Sequence, residues 1–246
     1  MKSVSLLPGV RMATTRRTNA PGLGPVNGQL SHAASPAPKV PNGPVSEAGI
    51  ADFLDLTKRT IDGLDRRVLG DMVGCLMDVW RRRGTVYVMG NGGSASTASH
   101  FAADLAKYTI TEGKPRFKVL GLTDNASLVS AWTNDGGFSS IFAEQMSAWL
   151  EPGDVLIGFS VHGGSGSGGA GPWSQNMVRA MKAAKDAGAS VIGFSGYDGG
   201  AMAEMADLCL TVPVLADELG TPIVESIHVL LHHLVVHTIR EQIRND

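Results

Sequence analysis

Val86-Tyr87-Val88-Met89-Gly90-Asn91-Gly92-Gly93-Ser94-Ala95-Ser96-Thr97-Ala98-Ser99-His100 runs from an apolar strand through a glycine turn into a helix. In an α/β protein such a junction holds phosphate, because glycines let the backbone approach an anion and the first helical N–H groups point at it. The chain is therefore expected to take a phosphorylated small molecule. His100 and Asp104 follow at an i,i+4 spacing, which projects both from one helix face as metal ligands or acid/base groups. A phosphate cradle beside a reactive face is the arrangement of an enzyme.

Outward from that junction, short apolar runs recur at 85–89, 117–121, 154–160, 190–195 and 207–212, with helical segments between them. Apolar runs of this kind are parallel strands covered on both faces. They predict a three-layer αβα sandwich with a five-stranded, parallel, doubly wound sheet. Two helices precede the first strand. Ile50, Phe53, Leu54, Ile61 and Leu64 share a face of one, and Val68, Met72, Leu76 and Trp80 a face of the other, which ends near Gly84. The last helix has Thr221 as a suitable N-cap and Pro222 at its first position, and runs to about Arg244 with Glu225, His228, His232, His233 and His237 among leucines and valines.

At 246 residues the chain holds one α/β domain, expected over 46–246 with its two leading helices, and no second large one. Residues 1–45 are rich in proline, glycine, serine, asparagine and alanine, and no Asp or Glu precedes Glu47. Such a stretch buries too little apolar surface to offset its ordering entropy, so it is expected to be a disordered extension. Lys2, Arg11, Arg16 and Arg17 leave a transit peptide or an anion-binding arm open; a non-functional extension, or a start upstream of Met12, is the favoured reading. A net charge of −2 offers no basic field for nucleic acid. No apolar run is expected to reach the length that crosses a membrane. Cys75 and Cys209 form no disulfide framework or zinc spacing and read as reduced core residues of a cytoplasmic protein.

A second glycine- and serine-rich loop follows the third strand, from Ser160 through His162, Gly163 and Gly164 to Ser174 and the next helix. Ligands of doubly wound sheets bind beyond the carboxyl ends of the strands, so this loop and the Gly90 to Ser94 turn can converge on one phosphate.

Gly90-Asn91-Gly92-Gly93-Ser94 with His100, Asn134-Asp135-Gly136-Gly137-Phe138, Gly153-Asp154-Val155-Leu156-Ile157-Gly158, Asp198-Gly199-Gly200 and the helix carrying Glu225 to His233 together resemble the sugar isomerase (SIS) domain. Within it they most resemble phosphoheptose isomerases, which convert sedoheptulose 7-phosphate to D-glycero-D-manno-heptose 7-phosphate. The resemblance spans roughly 47–243. It implies a zinc site in which His100 matches the family's histidine, Asp104 replaces a glutamate, Glu225 replaces a glutamine and His233 matches a histidine eight residues on. Helical phase alone favours His232, since i,i+7 from Glu225 is nearly eclipsed and i,i+8 is displaced by about 80°; the resemblance selects His233. It also implies phosphate binding by Ser94, Ser160 and Ser174, a sugar pocket with Asn91 and Asp124, and a homotetramer assembled through the flanking helices, where Val68, Met72, Leu76 and Trp80 are expected to leave apolar surface that the sheet does not fully cover. Gly92, Gly93, His162 and Gly163 complete the expected substrate site, with His162 in place of a small hydroxyl residue and about nine residues, 165–173, inserted.

Aldose–ketose isomerisation moves a proton between adjacent carbons through an enediol, and needs a base, an acid and an electrophile for the developing oxyanion. Zinc on His100, Asp104, Glu225 and His233 would be that electrophile. In the family, the glutamate and terminal histidine transfer protons. Asp104 is one methylene shorter, so the base is expected to be either Asp104 or, where Asp104 reaches the metal but not the substrate carbon, Glu225, with His233 as acid. His228 and His237 are expected to be core or satisfied surface residues. Two other readings remain: a non-catalytic SIS module that binds the bacterial replication initiator protein or senses sugar phosphates, and an isomerase of another sugar phosphate.

Overall fold

The structure, a computed structural model, describes residues 47–164, 174–214 and 219–246. Helices α1 (Glu47–Asp62) and α2 (Arg66–Arg81) lead into β1 (Thr85–Gly90), α3 (Gly93–Lys107), β2 (Lys118–Gly121) and α4 (Ala126–Gly136). A 3-10 turn, Phe138–Ser140, then precedes α5 (Ile141–Met146), β3 (Val155–Phe159), α6 (Gln175–Asp186), β4 (Ser190–Gly196), α7 (Gly200–Met205), β5 (Leu208–Val212) and α8 (Gly220–Asn245). The expected extension 1–45 and the inserted segment 165–173 lie outside the described residues.

The five strands form one parallel sheet in the order β2-β1-β3-β4-β5. The order reverses between β1 and β3, and the crevice at that switch point is where an open α/β sheet takes its ligand. Alternation along β1 shows why two layers of helices are needed. Val86 and Val88 face a core shared with α2, α3 and α8, whereas Tyr87 and Met89 face one shared with α5, α6 and α7. Buried Asp154, before β3, ties the start of this pair together by accepting the backbone N–H groups of Thr85 at 2.7 Å and Glu151 at 3.0 Å.

Three sequence expectations are corrected. Thr221 does not cap α8; the cap is Leu219 with no side-chain bond, and the Thr221 hydroxyl lies 3.2 Å from that of Tyr197. On α2, Met72, Leu76 and Trp80 are buried within the single chain, because α8 and the sheet cover that face. Exposed large apolar side chains among the described residues include instead Ile50 and Leu54 on α1, Leu128 on α4, Leu230 and Leu234 on α8, and Trp149 between α5 and β3. Finally, α8 is long and apolar enough to cross a membrane by length and composition; half of its most apolar stretch is buried inside the fold, against α2, α3 and β4. Cys75 and Cys209 are free and partly buried.

Candidate active site

The strand-to-helix turn after β1 is tight by necessity. A side chain at Gly90 would lie 2.3 Å from the Ser94 carbonyl oxygen, and Gly92 holds φ at +56°. Gly163, in the turn after β3, is more constrained still. Its φ is +66°, and a Cβ there would stand 1.8 Å from the Gly199 carbonyl oxygen. These turns bring Asn91, Ser94, Ser160, His162, Gly164, Ser174 and Glu225 around one cavity of about 160 Å³. The N-terminus of α3 opens onto it, an arrangement that favours an anion.

The cavity wall is braced by a pair the sequence did not reveal. Asn91 donates to Asn176 Oδ1 at 3.0 Å, and fully buried Asn176 donates back to Asn91 Oδ1 at 2.8 Å. Asn91 also reaches the Ser174 hydroxyl at 3.4 Å. The amide pair joins the turn after β1 to the first turn of α6, so the two walls of the cavity are fixed to each other. Ser174 and Tyr197 are non-glycine residues at φ +53° and +54°, and such strain clusters at functional sites. Tyr197 stacks on His162 with ring centroids 4.6 Å apart.

A second cavity, about 290 Å³, adjoins the first through Glu225 and is lined by Gly93, Ser96, Thr97, His100, Glu225, Ser226 and Val229. Glu225 packs so closely on Gly93 that a Cβ at that position would meet its Oε1 at 2.4 Å. Asp124 is elsewhere. It accepts from Ser99 and Thr123 and lines a separate groove of about 670 Å³ between α3 and the start of α4.

Where α3 crosses α8, the ligand atoms of His100, Asp104, His232 and His233 all lie within 4.8 Å of one another. Asp104 Oδ2 is the hub, at 3.5 Å from His100 Nε2, 3.3 Å from His232 Nε2 and 3.6 Å from His233 Nε2. The expected ligand Glu225 is not in this group, and His232 is. The reason is geometric: the ligand point falls on the α3–α8 contact line, where neighbouring residues 232 and 233 flank Asp104 from two sides, while Glu225 is two turns away at the start of α3. His232 is fully buried, and burial, followed by the neighbouring His233 ring, pushes its pKa down to about 4 against the pull of Asp104. Buried His228 sets its Nε2 3.2 Å from the Ser195 carbonyl oxygen. Exposed His237 lies 3.4 Å from the Tyr108 hydroxyl.

A doubly wound sheet with glycine turns at its switch point and a cluster of metal-ligating side chains beside them is the setting of a small-molecule site, and the SIS domain family matches residues 52–196. The chain belongs to that family and, within it, to the phosphoheptose isomerases; it is an enzyme of the isomerase class. The phosphoheptose isomerase of Rhodospirillum rubrum is 38% identical over 167 residues, 68% of this chain and 81% of that protein. The solved phosphoheptose isomerase of Neisseria gonorrhoeae superposes with a TM-score of 0.66 at 29% identity, covering 78% of this chain and 95% of that one. The lincomycin biosynthesis protein LmbN of Streptomyces lincolnensis is 46% identical over 184 residues, 75% of this chain and 66% of its own length.

Proposed function

We propose that the chain interconverts a ketose phosphate and an aldose phosphate, with sedoheptulose 7-phosphate and D-glycero-D-manno-heptose 7-phosphate as the first pair to test, assisted by a zinc ion. The observation that carries this is the position of Glu225, which borders both the serine-lined cavity and the groove leading to His100. A carboxylate there stands between a phosphate anchor and a cation site, where the reacting carbons of an anchored sugar phosphate would lie.

The hydroxyls of Ser94, Ser160 and Ser174 and the α3 N-terminus bind the phosphate and so fix the sugar's distance from Glu225. Glu225 takes the proton from the hydroxyl-bearing carbon beside the carbonyl and returns it to the former carbonyl carbon, while the hydroxyl proton passes to the former carbonyl oxygen through the enediol. Its carboxylate packs against Gly93, in space that a side chain at that position would fill. The donor set of three imidazoles and one carboxylate fits zinc in type and number. When bound, the ion supplies a positive charge that stabilises the developing oxyanion. His233 and Asp104 hold it, so their expected parts as acid and as substrate-facing base pass to Glu225.

A second reading has its own observation: the 46% identical relative is named for lincomycin biosynthesis, which favours a different sugar phosphate as substrate. Incubating metal-replete protein with a panel of ketose phosphates separates the two, and conversion of none of them refutes the isomerase reading. Apolar Ile50, Leu54, Leu230 and Leu234 on the outer faces of α1 and α8 support a homo-oligomer, taken as a tetramer. The two thiols outside any disulfide support a cytoplasmic setting. Nucleic acid and membrane have no place in this reading, given the net charge of −2 and the packing of α8 inside the fold.

A further inference from the structure

We infer that His232 is a metal ligand, so that the ion is enclosed by His100, Asp104, His232 and His233 and Glu225 stays outside its coordination. The inference rests on the metal-assisted reading above and deepens it. Zinc bonds to imidazole nitrogen and carboxylate oxygen of about 2.0–2.1 Å, placed tetrahedrally, put neighbouring ligand atoms about 3.4 Å apart. The three distances from Asp104 Oδ2 are 3.3, 3.5 and 3.6 Å. The three edges that meet at Asp104 Oδ2 therefore match a tetrahedral site, and all four ligand atoms lie within 4.8 Å of one another, close enough to converge on one ion.

His232 has no other evident reason to be there. Its side chain is fully buried, its Nδ1 has no hydrogen-bond partner, and its ring edges onto Phe101 at 6.1 Å between centroids. An unpartnered buried polar atom costs about 1–3 kcal/mol, so an apolar residue would suit this wall of the core better. What the imidazole contributes is Nε2, directed at Asp104 Oδ2. The rings of His232 and His233 stand 3.9 Å apart, and His100 lies 4.5 and 4.9 Å from them, so three imidazoles crowd one carboxylate oxygen. A shared cation resolves that crowding. Four protein ligands leave a tetrahedral ion no open position, the pattern of a closed site. The ion then joins α3 to α8 and acts on the substrate through its charge, leaving Glu225 free for the proton.

The test strips the full-length protein with a chelator and titrates it with Co²⁺, following the d–d absorption of four-coordinate cobalt. Wild type and Glu225→Gln are expected to bind one ion per chain with the same affinity. His232→Leu is expected to bind at least about 100-fold more weakly, the upper end of what loss of a mere outer-shell partner costs. X-ray absorption of the zinc-loaded wild type, which needs no variant, is expected to count three imidazoles. Two imidazoles, or full affinity in His232→Leu with loss in Glu225→Gln, would overturn the inference while leaving the metal-assisted reading intact. Absence of binding to wild type would refute that reading itself.

Discussion

The reciprocal amide pair between Asn91 and Asn176 carries a measurable coupling. Each residue loses both bonds, at 3.0 and 2.8 Å, when the other is truncated, and Asn176 is then left with a buried amide. Two neutral hydrogen bonds at about 1 kcal/mol each give a coupling of about 2 kcal/mol, and either single alanine variant costs about 2–3 kcal/mol once the stranded partner is included. Urea melts of wild type, Asn91→Ala, Asn176→Ala and the double variant close the cycle. Because Asn91 also borders the cavity proposed to hold the phosphate, both single variants should lower kcat/KM by about tenfold or more through misplacement of the substrate. Additive stabilities, with a coupling below about 0.5 kcal/mol, would show that the pair does not brace the two loops.

Two glycines should separate folding from chemistry. Gly163→Ala forces a Cβ onto the Gly199 backbone at positive φ and should cost at least about 2 kcal/mol in melts, whereas Gly93→Ala meets only the flexible end of Glu225 and should lower turnover with little loss of stability; the reverse pattern would refute both assignments. His228, whose pKa burial pushes from 6.5 down to about 4, stays neutral in the fold while the unfolded chain binds its proton. Stability should therefore fall as pH drops from about 6.5 to about 4, by ~3 kcal/mol in all, and melts of His228→Gln should show a correspondingly shallower dependence; equal slopes would contradict it. Removal of residues 1–45 is expected to leave turnover and melting temperature unchanged, and a fall in either would assign that segment a function.

The five strands were legible because each is a short apolar run bounded by turn residues, and the structure moves their ends by only a residue or so. The two glycine turns were legible for a local reason as well: Gly90, Gly92 and Gly163 stand where only glycine fits. The start of α8 was misread because Thr221, a good cap by type, has its hydroxyl beside Tyr197, a partner from a different loop. The ligand cluster was half legible. An i,i+4 pair on α3 is a property of one helix, but which of His232 and His233 meets it depends on where α8 crosses α3, and both do. Asn176 gave no signal, since an amide at a helix start reads as a solvated cap until Asn91 is seen against it.

The proton-transfer role of Glu225 is the claim on which the account turns, and solvent exchange tests it most directly. In deuterated water the wild type should place deuterium on the carbon next to the carbonyl of the sugar phosphate it isomerises. Glu225→Gln, with its metal retained, should lose exchange and turnover together by at least about 100-fold. Near wild-type exchange and turnover in Glu225→Gln would contradict the account.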